Sequence, residues 1–433
     1  PVADPNNSLF NPAVAAIVTV NPAVCEFSEG CTDPLAFNFN SEAVVDDGSC
    51  VEVVTGCTDT LYLEYNADAN VDDESCFTLI VEGCTDLNAI NYNETIYSNT
   101  ASYKESILEG YLNNGEIIAA VSLPDFDPQY QADALLPENI NKVTNSLYEI
   151  GSTFKPFTIA MALDSGLVHL DTEYDARQPI IAGGHKISDF RPQARILTVS
   201  EIFTHSSNIG AAKIALDFGT DYHKSFLKKL GLLDPVSTQI QNLPSSSIPV
   251  DWKEINTITI SYGHGIAISP LHAAVAGAPL FNGGRLVQPS FIKVENDSNT
   301  IYKQVLEPST SEKIKKLMYM NVVDGSATRA SVDGIFVGGK TGTANKLVGG
   351  SYDKDTRRTT FMGAFPLDKP KYIMFLLLDE PKPTENSHGL ATAGWNVAPT
   401  FSNIVRRIAP MLDIKPSSIE RLYDYDQIVV ASN

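Results

Sequence analysis

The 433-residue sequence predicts an α+β fold: one antiparallel sheet carrying a helical cluster, preceded by small disulfide-rich repeats. Three observations carry that prediction. Strand-like runs lie at both ends of residues 113–433, apolar helical runs fill the span between them, and all six cysteines fall within the first 84 residues. The length allows two or three domains, and 43% apolar residues with 9% aromatics suit a globular protein with a sizeable core.

The net charge of −21 is concentrated at one end. Residues 1–100 hold 17 of the 52 acidic residues and neither Lys nor Arg, leaving 35 acidic and 31 basic residues in the remaining 333. Nucleic acid is not an expected partner, because its phosphates demand a basic surface. Clustered cysteines, even in number and in a Lys-free segment, read as disulfides formed in an oxidising compartment. Zinc is the weaker alternative, since no His lies near Cys25, Cys31, Cys50, Cys57, Cys76 or Cys84 and no C-x-x-C pair occurs.

Residues 1–100 repeat themselves. Gly30-Cys31-Thr32-Asp33, closed by Asp46-Asp47-Gly48-Ser49-Cys50, is echoed by Gly56-Cys57-Thr58-Asp59, closed by Asp72-Asp73-Glu74-Ser75-Cys76, and both cysteine pairs are 19 apart. A third copy opens at Gly83-Cys84-Thr85-Asp86, but Tyr103 stands where its closing cysteine is due. These units resemble the short Cys-rich repeats of secreted bacterial surface proteins. The simplest pairing is Cys31–Cys50 and Cys57–Cys76, with Cys25 and Cys84 paired together or free. Asp46, Asp47, Asp72 and Asp73 read as solvated acidic turns, with calcium as the alternative and no metal assigned. The organisation is an acidic Cys-rich segment at 1–100, a junction at 101–112 and a second domain at 113–433.

Within the junction and second domain the elements follow in order. Ala101 to Glu109 suggests a short helix. Tyr111 to Ile118 reads as strand, Asn-Gly turn and strand, continued by the apolar run to Leu123 and ended at Pro124. Phe157 to Leu167 is an apolar helix stopped at Gly166, and Val199 to Phe218 forms two helical stretches around Ser206-Ser207-Asn208. Leu271 to Pro279 is an Ala-rich buried helix. Strands return at Ile335 to Gly338, Thr359 to Phe365 and Tyr372 to Leu378, with turns at Pro366 to Pro370, and Val397 to Leu412 is an amphipathic helix.

Three strings carry chemistry. Ser-x-x-Lys occurs at Ser152/Lys155, Ser225/Lys228 and Ser351/Lys354, but only the first follows a glycine and opens a buried helix. Pro156 is tolerated only in a first helical turn, which puts the helix start near Ser152 and Lys155 one turn later on the same face. Burial lowers a lysine pKa, so a neutral Lys155 can serve as base for Ser152, with the helix N-terminus offering N–H groups to an oxyanion. Ser206-x-Asn208 adds a hydroxyl to pass a proton and an amide to hold Lys155 and a carbonyl. Lys340-Thr341-Gly342-Thr343 reads as a strand edge for an extended peptide, with Lys340 and Thr341 drawing a carboxylate, Gly342 permitting close approach and the Thr343 N–H completing an oxyanion hole. Lys155 Nζ, Ser206 Oγ and Ser152 Oγ are expected to converge, facing the Lys340 strand.

In this order the strings resemble the transpeptidase domain of penicillin-binding proteins. Further segments extend the likeness over roughly 113–412: Val121 to Pro128, Tyr148-Glu149-Ile150-Gly151-Ser152, Tyr262-Gly263-His264-Gly265 and Thr392 to Pro399 are similar to those of class B, division-specific members. The resemblance implies a peptidoglycan D,D-transpeptidase that needs no cofactor. Its partners would be stem peptides, β-lactams and other cell-division proteins. It implies Ser152 as nucleophile, Lys155 as base, Ser206 as proton relay, Asn208 in positioning, and Lys340, Thr341, Gly342 and Thr343 on the substrate. A serine hydrolase on the same fold (carboxypeptidase, β-lactamase or esterase) and an inactive surface or adhesion protein are the alternatives. Class B members carry an anchor and a pedestal domain where this chain has repeats, so the two parts read as a fusion. Ala13 to Val20 is apolar but its eight residues fall short of the ~20 that span a bilayer. The chain starts at Pro1 rather than Met, which leaves room for an upstream signal or anchor removed or never included, and the expectation is an extracytoplasmic protein with no anchor in this chain.

Overall fold

The computed structural model describes residues 28–58, 66–73, 75, 104–127, 129–294, 300–349, 351–384 and 387–416. The chain divides into two units, Pro1–Ala101 and Ser102–Asn433.

In the first unit the backbone hydrogen bonds repeat with the sequence. Gly30 N donates to Val45 O (3.0 Å), Asn40 N to Cys31 O (3.0 Å) and Ala43 N to Asn40 O (3.0 Å). The same bonds recur 26 residues on, from Gly56 to Val71 (3.1 Å), Asn66 to Cys57 (2.9 Å) and Ala69 to Asn66 (3.1 Å). Cys31 and Cys50 form a disulfide and Cys57 is disulfide-bonded as well. Cys25, Cys76 and Cys84, and so the rest of the expected pairing, lie outside the described residues. Asp46 and Asp47 each accept a backbone N–H two residues ahead, from Gly48 (3.1 Å) and Ser49 (2.9 Å), as Asp73 does from Ser75 (3.0 Å). These carboxylates close their own turns. Among the described residues no group of three or more His, Cys, Asp or Glu is arranged to hold a metal ion.

The second unit is built on one five-stranded sheet. Its strands in chain order are β1 (Lys104–Tyr111) and β2 (Ile117–Ser122). Three two-stranded ribbons follow, pairing β3 (Glu173–Asp175) with β6 (Ile196–Thr198), β4 (Ile180–Ala182) with β5 (His185–Ile187), and β7 (Arg285–Val287) with β8 (Tyr302–Gln304). The sheet is completed by β9 (Gly338–Val348), β10 (Ser351–Phe365) and β11 (Tyr372–Asp379). The order is β2-β1-β11-β10-β9 and every pair is antiparallel. Helices α1 (Lys155–Asp164), α2 (Val199–Thr204), α3 (Asn208–Lys229), α4 (Glu254–Ile260), α5 (Pro270–Gly277) and α6 (Pro308–Asp324) lie between the strands in sequence, and α7 (Val397–Met411) follows them.

Of the short helix suggested at Ala101 to Glu109, residues 101–103 lie outside the described residues and the remainder, from Lys104, is strand β1. Pairing decides it: β1 fills the gap between β2 and β11, in continuous register from Lys104↔Asp379 to Tyr111↔Tyr372, and a helix there would leave one edge of β11 unpaired. Two other differences share that cause. Ile335 to Val337 precedes the strand rather than forming it, and β10 begins at Ser351, eight residues before the apolar run at Thr359, because the β9–β10 hairpin continues the ladder through polar residues.

Alternation along β10 sandwiches the sheet. Phe361 packs on Phe401 of α7 (4.6 Å between ring centroids), while Met362 points the other way, where a Cβ on Gly277 of α5 would lie 2.5 Å from its sulfur. Covered on both faces, β11 is buried at all eight positions. Among the described residues no helix is long and apolar enough to cross a membrane.

His223 of α3 is fully buried between Phe218 and Trp252, and neither ring nitrogen has a hydrogen-bond partner among the described residues. Burial holds its pKa down, from 6.5 to about 3. The unfolded chain therefore takes up a proton below about pH 6.5 that the folded chain refuses. The associated stability is complete above that pH and is lost as pH falls toward 3. At pH 5 the deficit is about 2 kcal/mol. His223→Phe should raise the thermal midpoint more at pH 5 than at pH 8, and an equal increment at both would contradict a neutral buried imidazole.

Candidate active site

The turn that bears Ser152 is assembled from its neighbours. Gly151–Phe154 forms a 3₁₀ turn running into α1, with Pro156 in the first helical turn. Ser152 therefore stands just before the α-helix proper, and Lys155 opens it. Thr153 Oγ1 bonds Thr360 Oγ1 of β10 (2.7 Å), which donates to Ile150 O (2.9 Å), so the turn is tied to the sheet. The Tyr262-Gly263-His264-Gly265 segment clamps the other side. Gly151 N donates to Gly263 O (3.2 Å), and Gly265 N donates to Glu149 Oε1 (2.7 Å). A Cβ at Gly263, whose φ is +85°, would lie 2.0 Å from Gly151 O, so only glycine fits there.

Lys155 is 0% exposed, and its Nζ meets four oxygens: Ser206 O (2.7 Å), Asn208 Oδ1 (2.8 Å), Ser152 Oγ (2.9 Å) and Ser206 Oγ (3.1 Å). The α2–α3 turn supplies three of these. Ser206 adopts φ +58°, in the left-handed region that costs a non-glycine residue about 1 kcal/mol or more, and the turn directs its carbonyl at the amine. Asn208 Nδ2 donates to Ser188 O (3.1 Å), which fixes the amide with Oδ1 toward Lys155.

Lys340 of β9 reaches the same place from the sheet. It is 0% exposed, and its Nζ donates to Ser206 Oγ (3.1 Å), Thr341 O (3.2 Å) and Ser326 Oγ (3.4 Å). Ser206 Oγ thus lies between two amines, and neither lysine has an ion pair among the described residues. Burial depresses both. Lys155 is held well below the ordinary lysine range, first by desolvation and then by repulsion from Lys340, with Asp189 partly opposing. Lys340 is brought down to about 7 by desolvation.

A neutral Lys155 has two protons and one lone pair. Ser206 O and Asn208 Oδ1 only accept, so they take both protons, and the lone pair falls to a hydroxyl. Ser152 Oγ at 2.9 Å is the nearer of the two hydroxyls present. The arrangement can take a proton from Ser152 without moving a heavy atom.

Strand alternation sorts the rest of the Lys340 string. Thr341 Oγ1 bonds Ser326 Oγ (2.6 Å), and Thr343 Oγ1 accepts from Ala393 N (3.1 Å). Gly342 points instead at the Ser152 turn, where a Cβ would lie 2.3 Å from Ile150 O. The close approach that Gly342 permits in this structure is to the chain's own backbone. Because β9 is the sheet's edge, one row of its backbone groups is free of a neighbouring strand. The other two Ser-x-x-Lys pairs stay apart from this site, Ser225/Lys228 on α3 and Ser351/Lys354 on β10.

Residues 112–406 match the penicillin binding protein transpeptidase domain. The chain belongs to that family. Among similar proteins, it is 36% identical over 318 residues to the probable peptidoglycan D,D-transpeptidase FtsI of Caulobacter vibrioides, covering 70% of this chain and 53% of that protein. It is 30% identical over 331 residues to the stage V sporulation protein D of Bacillus subtilis, covering 72% and 50%. The chain spans about half the length of these relatives. The TP domain of penicillin-binding protein 3 from Burkholderia pseudomallei superposes with a TM-score of 0.64 at 27% identity, covering 72% of this chain and 90% of that one.

One residue of this transpeptidase-family site had no signal in the sequence. Asp189, a lone acid in a loop, is 8% exposed and caps α3: Oδ1 accepts from Asn208 N (2.6 Å) and Ile209 N (2.9 Å), and Oδ2 from Ser207 Oγ (2.8 Å). It holds the turn that presents Ser206 and Asn208, and a negative charge suits a helix N-terminus. Asp189→Ala should cost about 3 kcal/mol in urea unfolding by stranding three donors. Asp189→Asn, which keeps Oδ1, should cost less than half as much. Equal losses would show that the carboxylate's bonds do not hold the turn.

Proposed function

We propose that this chain is a class B penicillin-binding protein whose catalytic domain is a peptidoglycan D,D-transpeptidase. The observation that carries the reading is the convergence of Ser152, Ser206 and Asn208 on one buried, depressed lysine beside the open edge of β9. The donor stem peptide lies along β9 as an added strand with its terminal carboxylate at the Lys340–Thr341 end. Ser152 Oγ attacks the penultimate D-Ala carbonyl carbon and passes its proton to Lys155 Nζ. The oxyanion meets the Ser152 and Thr343 N–H groups. Lys155 donates to Ser206 Oγ, whose own proton moves to the peptide nitrogen. The C–N bond breaks and D-Ala leaves, with the ester on Ser152. An amine from a second stem then attacks the ester carbon, its surplus proton returns through Ser206 and Lys155 to Ser152 Oγ, and the C–O bond breaks. β-Lactams enter at the first step and stop there.

The site works with Lys155 neutral and Lys340 cationic, since two adjacent buried cations repel and the base must hold a free lone pair. The repeating hydrogen bonds and disulfides of the first unit support a Cys-rich repeat segment fused ahead of the enzyme, in an oxidising, extracytoplasmic location. Other cell-division proteins are the partners this reading adds.

Fluorescent penicillin should form a stable adduct on the peptide bearing Ser152, and Ser152→Ala should abolish it. Rapid loss of label would favour a hydrolase, and a folded protein without label would sink the assignment. The second-order acylation rate should fall as pH rises through about 7, where Lys340 loses its charge. A flat profile from pH 6 to 9 would show that this charge does not assist binding.

A further inference from the structure

Resting on that reading, we propose that Arg329, stacked on Trp395, receives a carboxylate of the second stem, the one that supplies the attacking amine. That amine bonds the carbon that D-Ala left, and its surplus proton travels back through Ser206. It therefore takes the place of the departed nitrogen, and the rest of the second stem extends outward past the Lys340–Thr341 end of β9. On a stem the amine and the terminal carboxylate belong to different residues. Each added residue carries the chain up to about 3.5 Å further, so this carboxylate lies beyond the place that the carboxylate of D-Ala held.

Two turns stand at that end of β9. The turn after α6 meets the strand where Ser326 Oγ bonds Thr341 Oγ1 (2.6 Å), and it continues into the 3₁₀ turn Thr328–Ala330. The turn Ala393–Trp395 precedes α7. Ala393 N pins it to β9 by donating to Thr343 Oγ1 (3.1 Å). It also lies against the first turn, since a Cβ on Gly394 would stand 3.1 Å from Ser326 O. Arg329 and Trp395 meet where the two turns adjoin, with the guanidinium carbon 3.3 Å from the indole centroid. His388 packs edge-on against the same indole, 4.9 Å between centroids.

A free arginine samples many rotamers. Arg329 is exposed, and among the described residues its guanidinium has neither a hydrogen bond nor an ion pair, so the stack alone holds it. Stacking uses the face of the planar cation and leaves its N–H edge open. That edge matches a carboxylate with two parallel N–H···O bonds, and a side chain already ordered loses little more on binding. Arg329 takes no part in the attack. It selects amines that carry a negative charge one residue or more away.

The test follows how the Ser152 ester is divided between water and an added amine. The protein is acylated with an N-acyl-D-alanine thioester, and the acceptors are glycylglycine and glycylglycinamide, which lacks the carboxylate. The readout is transfer product over hydrolysis product, at fixed pH and acceptor concentration. Both products come from one ester, so the ratio does not depend on how fast that ester forms. Wild type should prefer glycylglycine, and Arg329→Ala should lower the preference about tenfold, the worth of a hydrogen bond to a charged group. Arg329→Lys, which keeps the charge without the fork, should recover only part of it. Equal losses with both acceptors would mean that Arg329 only shapes the rim, and an unchanged preference, or none in wild type, would mean that it does not touch the carboxylate. Either overturns the proposal and leaves the transpeptidase standing. An ester that only hydrolyses overturns the proposal in favour of a hydrolase, and a wild type that neither the thioester nor penicillin acylates overturns both readings together.

Discussion

Everything in the second unit answers to the burial of the Lys155 amine. An ammonium taken out of water without a counter-charge costs several kcal/mol, and the usual escape is to give up the proton. Among the described residues Lys155 bonds no carboxylate, only oxygens of serine and asparagine. That set satisfies a neutral amine with a hydroxyl left over to donate to its lone pair. Basicity and desolvation are thus set against each other at the one point where Ser152 has a proton to lose.

Holding four oxygens around one nitrogen requires rigid elements arriving from different directions. The left-handed backbone at Ser206 and the Asp189 cap on α3 fix two ligands from the helical side. The sheet fixes the Ser152 turn through Thr153 and Thr360, and delivers Lys340 to the far side of Ser206. The glycines at 263 and 342 let backbone lie on backbone where a methyl group would clash. Strain at Ser206 persists because both flanking helices are anchored in the core, the pattern expected where geometry serves chemistry.

The helices that bear the site were largely legible in the sequence, because their apolar runs have helical length and end at glycine or proline. α1 and the α2–α3 pair stand where the pattern put them, though α3 runs on past Phe218 to Lys229 through a non-helical Gly219. The strands were less so. Most of β1 suggested a helix and is extended because it fills the sheet between β2 and β11. The hairpin at β9–β10 continues through polar residues that alternate with nothing apolar. Asp189 escaped notice for a related reason: it acts through bonds to residues some way off in sequence, and a single polar residue in a loop looks the same whether it is bonded or not.

By itself, the sequence determined the inventory: a serine one turn from a lysine, a hydroxyl and an amide two residues apart, a lysine on a glycine-flanked strand, and an acidic repeat with evenly spaced cysteines. Those are local facts, set by residue type and short spacing, which fix what chemistry is available. The tertiary structure decided that Lys155 meets Ser152, Ser206 and Asn208 at one point, that Gly342 packs on the Ser152 turn, and that Lys340 turns its amine inward onto Ser206. Burial is the reason. Whether a lysine keeps its proton, and whether a hydroxyl points in or out, depends on which distant atoms exclude water from it, and only the folded chain specifies those atoms.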